Sequence, residues 1–180
     1  ISENQISALE ALPDSVKVSG RTGNSTSPWG WAVKSGGSST GIAVDSSGNA
    51  YVTGYFRENA TFGSTSLTSS GSYDIFIAKL SSSGSWQWAV KAGDSSGDSG
   101  KGIAVDSSGN AYATGHFSGT VTFGSTSLTS SGSIDIFIAK LSSSGSWQWA
   151  VKAGGSSYDQ GRGIAVDSSG NAYATGYFYG

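Results

Sequence analysis

The sequence predicts an all-β protein assembled from repeated units of four antiparallel strands, with a step of 61 residues from unit to unit. Three observations predict it. The string GIAVDSSGNAYVTGYF at Gly41 to Phe56 recurs as GIAVDSSGNAYATGHF at Gly102 to Phe117 and as GIAVDSSGNAYATGYF at Gly163 to Phe178. The stretches Gly63 to Gly93 and Gly124 to Gly154 differ only in Tyr73 against Ile134. Within each copy, short apolar runs alternate with period two and are separated by turns rich in Gly, Ser, Asp and Asn, the pattern of strands. A fixed period of this length marks a supersecondary module that stacks on copies of itself, so a feature carried by every copy reads first as architecture.

Residues 1–28 stand outside the repeat. Ser2-Glu3-Asn4-Gln5 has capping-box spacing, and Ile6, Leu9 and Leu12 follow at helical intervals until Pro13, which predicts a short helix that packs on the rest of the protein. Trp29 to Lys34 (WGWAVK) then matches the last strand of a unit, standing alone.

The first whole unit spans 41–92. Gly41 to Asp45 and Ala50 to Phe56 flank the turn Asp45-Ser-Ser-Gly-Asn49, whose residues supply the side-chain hydrogen bonds and the positive φ of a tight hairpin. Ala60 to Thr68 is a small hairpin excursion around Gly63. Asp74 to Leu80 (DIFIAKL) is apolar on both alternating sets and so reads as a strand covered on both faces. Trp86 to Ala92 (WQWAVKA) places Trp86, Trp88 and Val90 on one face and suits the outermost position. A second unit repeats this over 102–153, and 163–180 supplies the first two strands of another.

Four antiparallel strands per unit, sheets covered on both sides and this period predict β-propeller blades. GIAVDSSGNAYATGYF followed by DIFIAKLSSSGSWQWAVKAGG resembles the bacterial β-propeller repeat family SBBP, and GIAVDxxGNxYV is also similar to NHL-type blades. The resemblance runs from about Trp29 to the end. It implies a propeller in exported or cell-surface proteins of bacteria and some archaea, with no common catalytic activity. Closed propellers typically have about 4 to 8 blades, and fewer than three are present here, so the expected partners are further blades of a longer chain or copies of itself. The leading lone strand suggests that the start is preserved and that the chain stops inside a repeat.

Composition narrows the function classes. The chain has 28 Gly, yet 36% of its 180 residues are hydrophobic and 12% aromatic, enough for a core. A formal net charge of −2 gives no nucleic-acid footprint. The lack of cysteine excludes thiol chemistry and Cys-based zinc sites. No stretch reaches the roughly 20 apolar residues of a membrane span, and there is no signal-peptide pattern, so the chain reads as mature or cytosolic. Little Lys, much Ser and Thr and no thiols lean towards a secreted or surface product.

No catalytic constellation emerges. The single histidine, His116, stands where the other copies have Tyr55 and Tyr177, and reads as a tolerated substitution. No serine is singled out by a nearby base. Asp45, Asp106 and Asp167 repeat in the hairpin turn, and Asp74 and Asp135 open the third strand, so both sets read as structural; no pair of unique acids suggests a glycosidase. Among hydroxyls in the blade linkers 93–102 and 154–163, Asp94, Asp98 and Asp159 are oxygen ligands of a kind calcium accepts. Their spacing matches neither an EF-hand nor an RTX repeat, and an ordinary solvated loop is preferred.

The tryptophans 29, 31, 86, 88, 147 and 149 and the tyrosines 51, 55, 112, 173 and 177 recur at strand positions and are expected to fill the gaps between blades, with sugar stacking as the alternative. Tyr73 against Ile134 reads as an exposed, tunable position. The sequence therefore predicts a non-enzymatic extracellular propeller scaffold with a structural, adhesive or self-assembly role, its blades displaying one repeated surface. A lectin-like propeller with one weak glycan site per blade is the alternative; no cofactor is expected beyond the calcium option.

Overall fold

A computed structural model of the chain describes residues 17–20 and 31–179. Among these every regular element is a strand. The predicted helix and Trp29 lie outside the described residues.

The first complete blade contains β3 (Ser38–Val44), β4 (Ala50–Phe56), β7 (Asp74–Leu80) and β8 (Trp86–Ala92), hydrogen-bonded in the order β3-β4-β7-β8 and antiparallel throughout. Its excursion is a separate hairpin of β5 (Asn59–Phe62) and β6 (Thr65–Thr68). The second blade repeats the plan with β9 (Ser99–Val105), β10 (Ala111–Phe117), β13 (Asp135–Leu141) and β14 (Trp147–Ala153), and a hairpin of β11 (Thr120–Phe123) and β12 (Thr126–Thr129). A third begins with the pair β15 (Asp159–Val166) and β16 (Ala172–Phe178). These are propeller blades, and they do not close into a ring.

WGWAVK does not stand alone. β2 (Trp31–Lys34) pairs antiparallel with β1 (Lys17–Gly20), in the relation that β8 bears to β7. The repeat pattern thus reaches into residues taken from the sequence as non-repeat.

Each hairpin turn is built by one aspartate. Asp45 Oδ1 accepts from the backbone amides of Ser47 and Asn49, both at 2.9 Å, and Oδ2 accepts from Asn49 Nδ2 at 2.8 Å. Gly48, Gly109 and Gly170 take φ of 79°, 77° and 82° here, a region that penalises a Cβ. Asp106 and Asp167 repeat the arrangement, so the turn-capping role expected of these acids is what the structure shows.

The inner strands β3, β9 and β15 lie against one another and form the axis side of the array. Their approach requires glycine. A Cβ on Gly102 would sit 3.0 Å from the Arg162 carbonyl oxygen, and one on Gly41 2.9 Å from that of Lys101. Outward the blades diverge, and the wedge is filled by the excursion: β11 packs on β8 of the preceding blade, and Val121 and Phe123 are fully buried or nearly so.

DIFIAKL is buried on both faces, as alternation predicted. Phe76, Ala78 and Leu80 face one core, and Ile75 and Ile77 join Tyr51 in the core shared with the second blade. The strand beyond it departs from expectation. Lys79 pairs with Trp88 and Leu80 with Trp86, leaving Gln87 as an extra residue, so a bulge turns Trp86 and Trp88 to opposite faces. Trp86 stands edge-on to Phe62 at 5.0 Å in its own blade's core, whereas Trp88 reaches the next blade and donates its indole N–H to Ser143 O at 3.1 Å. A second latch joins the blades. The Tyr51 hydroxyl lies 3.2 Å from Asp45 Oδ2 and 3.1 Å from Gly109 O of the next blade's turn.

Candidate functional site

Each blade has two ends: a turn end with the DSSGN and SSSGS turns, and a linker end where the fourth strand of one blade passes to the first strand of the next. Superposing the copies by their 61-residue step shows where they differ. At the turn end the DSSGN turn is identical in its three copies and the SSSGS turn in the two whole blades. Apart from Val52 against Ala113 in mid-strand, the differences collect at the linker end, in 36–40, 55–60, 73 and 94 and their equivalents. The expectation of one repeated surface therefore holds for the turn end alone.

The inner strands begin earlier than GIAVD suggested, at Ser38, Ser99 and Asp159, so half of each presumed linker is strand. Each carries a bulge. Gly100 pairs with Gly115 and Gly102 with Thr114, leaving Lys101 extra; Arg162 is extra between Gly161 and Gly163, and Thr40 between Ser39 and Gly41. A bulge re-aims one side chain out of the pleat, and here that residue differs in all three copies.

A cleft of about 290 Å³ opens between the first and second blades at this end. The first blade contributes Tyr55 and Tyr73, whose rings meet edge to face at 5.3 Å. The second contributes Gly97, Asp98, Ser99 and Lys101 from the start of β9, and His116 from β10, which pairs with Ser99. Every one of these residues stands at a position that differs between copies. Lys101 Nζ lies 5.5 Å above the Tyr55 ring. Among the described residues it has no carboxylate within ion-pair distance; the ion pairs formed are Lys91–Asp74 and Lys152–Asp135.

Two of the three linker acids, Asp98 and Asp159, are buried rather than solvated. Asp98 is buried and its carboxylate accepts from the backbone amides of Ser118 and Asp94, both at 3.0 Å. Asp159 is buried likewise and accepts from Gly155 N at 2.7 Å and Tyr179 N at 3.0 Å. Asp94 is held at 2.6 Å from Ser96 N and 3.0 Å from Thr120 N. These oxygens pin the linker to the segment that follows β10 or β16, and no cluster of three metal-ligating side chains forms among the described residues. Burial, with Asp94 and Asp74 nearby, pushes the Asp98 carboxyl up to about 6 against its amide hydrogen bonds. Asp74 and Asp135 are buried in their ion pairs, as structural acids.

His116 is more than a variable position in a strand. Gln160 Nε2 donates to its Nδ1 at 2.6 Å, and Gln160 Oε1 accepts from Tyr177 at 3.2 Å, which fixes the neutral tautomer with hydrogen on Nε2. Burial, then the charges of Lys101 and Arg162, push its pKa down to about 4.

The equivalent space between the second blade and β15–β16 is occupied. Tyr158 replaces Gly97 and Gln160 replaces Ser99. Tyr158 stacks on Tyr177 at 6.0 Å with planes 8° apart, and Gln160 bridges His116 and Tyr177. At Gly97, by contrast, an added Cβ would meet nothing within 4 Å. The cleft is thus open in one copy and filled in the next. Of its members the sequence offered Asp98 as a calcium candidate and Tyr55 as one of the aromatics for sugar stacking, but no motif brought them together; the signal available for the cleft was the pattern of differences between copies.

The Beta-propeller repeat family SBBP matches the chain at residues 38–55, 87–116 and 148–177. The second and third matches each run from a fourth strand through the linker into the first two strands of the next blade. The chain is also 27% identical, over 83% of its length, to an uncharacterized WD repeat-containing protein, L264, of Acanthamoeba polyphaga mimivirus, and spans 13% of that protein.

Proposed function

The chain is a tandem of SBBP β-propeller repeats, and on that premise we propose that it is a non-enzymatic recognition scaffold of a secreted or cell-surface protein. Its turn end is kept constant for blade stacking and its linker end is diversified to bind ligand. One observation carries this reading: the inter-blade cleft at Tyr55 and His116 is lined throughout by residues that differ between otherwise near-identical copies. Packing constraints act alike on every copy, so they give no reason for differences to gather around one cleft. Tyrosine faces beside Ser, His and Lys donors suit a glycan or another small polar ligand. Because the second cleft is filled, one distinct site fits the geometry better than one weak site per blade.

Tyr173 and Phe178 are 58% and 61% exposed where their counterparts Tyr112 and Phe117 are fully buried, which leaves an apolar face suited to another blade.

The test of the recognition reading is a glycan and peptide array probed with the protein and with the double variant Gly97→Tyr/Ser99→Gln, which installs the residues of the filled cleft. Binding by the parent that falls at least about tenfold in the variant, with unchanged melting, is expected. Equal binding by both would place recognition elsewhere.

A further inference from the structure

The amide that follows the second strand of a unit is held by a carboxylate in two of the three units. Ser118 N donates to Asp98 Oδ1 at 3.0 Å, and its counterpart Tyr179 N donates to Asp159 Oδ1 at 3.0 Å. Two residues beyond Ser118, Thr120 N donates to Asp94 Oδ2, also at 3.0 Å. The first unit builds the same backbone at Arg57, Glu58 and Asn59. Glu58 takes φ of 60° where Gly119 takes 67°, and its amide donates to Ser69 Oγ at 2.9 Å as that of Gly119 does to Ser130 Oγ at 3.0 Å. Its carbonyl accepts from Ser69 N, again as that of Gly119 does from Ser130 N. A glutamate kept in the left-handed region, where a Cβ is penalised, shows how firmly the packing imposes this shape.

The acids are missing from the first unit. From Lys34 to Ser38 its linker is four residues shorter than from Lys91 to Ser99, which removes the counterpart of Asp94. Ser38 pairs with Tyr55 as Ser99 pairs with His116, so Gly37 stands where the second unit has Asp98. A Cβ on Gly37 would lie 2.7 Å from Tyr55 O and 2.9 Å from Phe56 Cβ, so the chain has no room to grow a carboxylate there. Among the described residues no carboxylate reaches the Arg57 or Asn59 amide, and Arg57 is exposed and forms no ion pair. A cleft of about 250 Å³ opens at this place, lined by Gly37, Ser38, Phe56 and Arg57, with Tyr55 and Tyr73 as one wall. No acidic side chain lines it.

We propose that this cleft of the first unit binds a small organic acid, whose carboxylate takes the place that Asp98 and Asp159 fill in the other two units. The site is distinct from the cleft beside His116 and shares with it the Tyr55 and Tyr73 wall. That such amides suit a carboxylate oxygen is shown by Ser118, Thr120 and Tyr179, their counterparts in the same chain. Arg57 adds a guanidinium, whose planar fork matches a carboxylate and strengthens the hydrogen bonds around it. Its counterparts are Ser118 and Tyr179, so a cation stands only in the unit that lacks the acid. Tyr55 and Tyr73, edge to face at 5.3 Å, offer aromatic surface to the apolar body of the ligand. A volume of about 250 Å³ is small for a ligand pocket and suits a single ring.

Titration of the whole chain, followed by NMR of the backbone amides, tests this with three probes: benzoate, which has ring and carboxylate; benzamide, which has the same shape without the charge; and inorganic phosphate, which has charge without a planar carboxylate. Benzoate is expected to move the Arg57 and Asn59 amide protons downfield in a saturable way and to bind at least about tenfold more tightly than the other two. It should weaken about tenfold in Arg57→Ser, the residue that the second unit carries at this position. Replacing residues 35–37 by residues 92–98, the longer linker with both of its acids, should abolish binding. Benzamide binding as tightly as benzoate would overturn the role of the charge, and phosphate binding as tightly would overturn the carboxylate class. Unchanged affinity in Arg57→Ser, or shifts that spare the amides of Arg57 and Asn59, would overturn the assignment to this cleft. Benzoate binding that survives the linker replacement in a variant with an intact melting transition would overturn the exchange of ligand for Asp98. If benzoate fails to bind while array ligands are still lost in Gly97→Tyr/Ser99→Gln, the acid site falls and the recognition reading stands.

Discussion

Replacing His116 by Gln should change how stability depends on pH, with a sign set by the cleft. In the folded protein burial, Lys101 and Arg162 push the imidazole to about 4 from an ordinary 6.5, so the unfolded chain takes up a proton at a pH where the folded one does not. Stability is therefore lost as pH falls from 6.5 towards 4. Complete linkage over that interval costs about 3 kcal/mol, of which about 2.5 kcal/mol is reached at pH 4.5. Partial exposure of the ring lowers the expected figure to about 2 kcal/mol.

The parent protein alone would hide the effect. Asp98 is pushed up to about 6 from its ordinary 3.8, so its folded form takes up a proton first and gains stability over nearly the same range as pH falls. The two groups oppose each other and flatten the profile. Urea unfolding of parent and His116→Gln at pH 7, 6, 5 and 4.5 separates them, because Asp98 and the other carboxylates cancel in the difference. The variant should gain on the parent by about 2 kcal/mol between pH 7 and 4.5. The lost bond to Gln160 offsets the whole curve without tilting it. A difference constant to within about 0.5 kcal/mol would show that His116 titrates normally and that the cation pair does not press on it.

Two further outcomes follow from the stacking of blades. Tyr112→Phe should cost about 1 to 2 kcal/mol in urea unfolding, since a buried hydroxyl there lies 3.1 Å from Asp106 Oδ2 and 3.4 Å from Gly170 O of the next blade, whereas exposed Tyr173→Phe, with its single bond to Asp167, should be near neutral; equal costs would refute the latch. Gly102→Ala should cost about 1 to 3 kcal/mol in thermal or urea unfolding, because its Cβ would press on the Arg162 carbonyl and on Gly163 Cα at 3.1 Å and force the inner strands apart; a neutral result would mean that they do not meet as closely as described.

Much of the blade was legible from local signals. DIFIAKL and AYATGYF became strands with the predicted limits because alternation and β-branched content act within a few residues. The DSSGN turns formed as read because Asp45 caps a segment four residues long. The candidate site was not legible in that way. Asp98 and Asp159 lie in segments whose Gly and Ser content reads as loop; Asp98 precedes β9 and Asp159 opens β15, and both are buried where the amides of their own linker and of the residue just after the second strand of the same unit, Ser118 or Tyr179, close on their carboxylates. The two tryptophans of WQWAVKA were assigned one face because nothing in the local pattern announces the bulge at Gln87.

The sequence by itself determined the repeat, the strands, the turns and the propeller class, all properties of residues near one another along the chain. Tertiary structure decided which end of the blades is variable in space, which cleft is open and which charges crowd. Those depend on contacts across blades, such as Gln160 with His116 and Lys101 over Tyr55. A few side chains differing between copies settle them: Gly97 or Tyr158 determines whether the space between two nearly identical sheets is empty or filled.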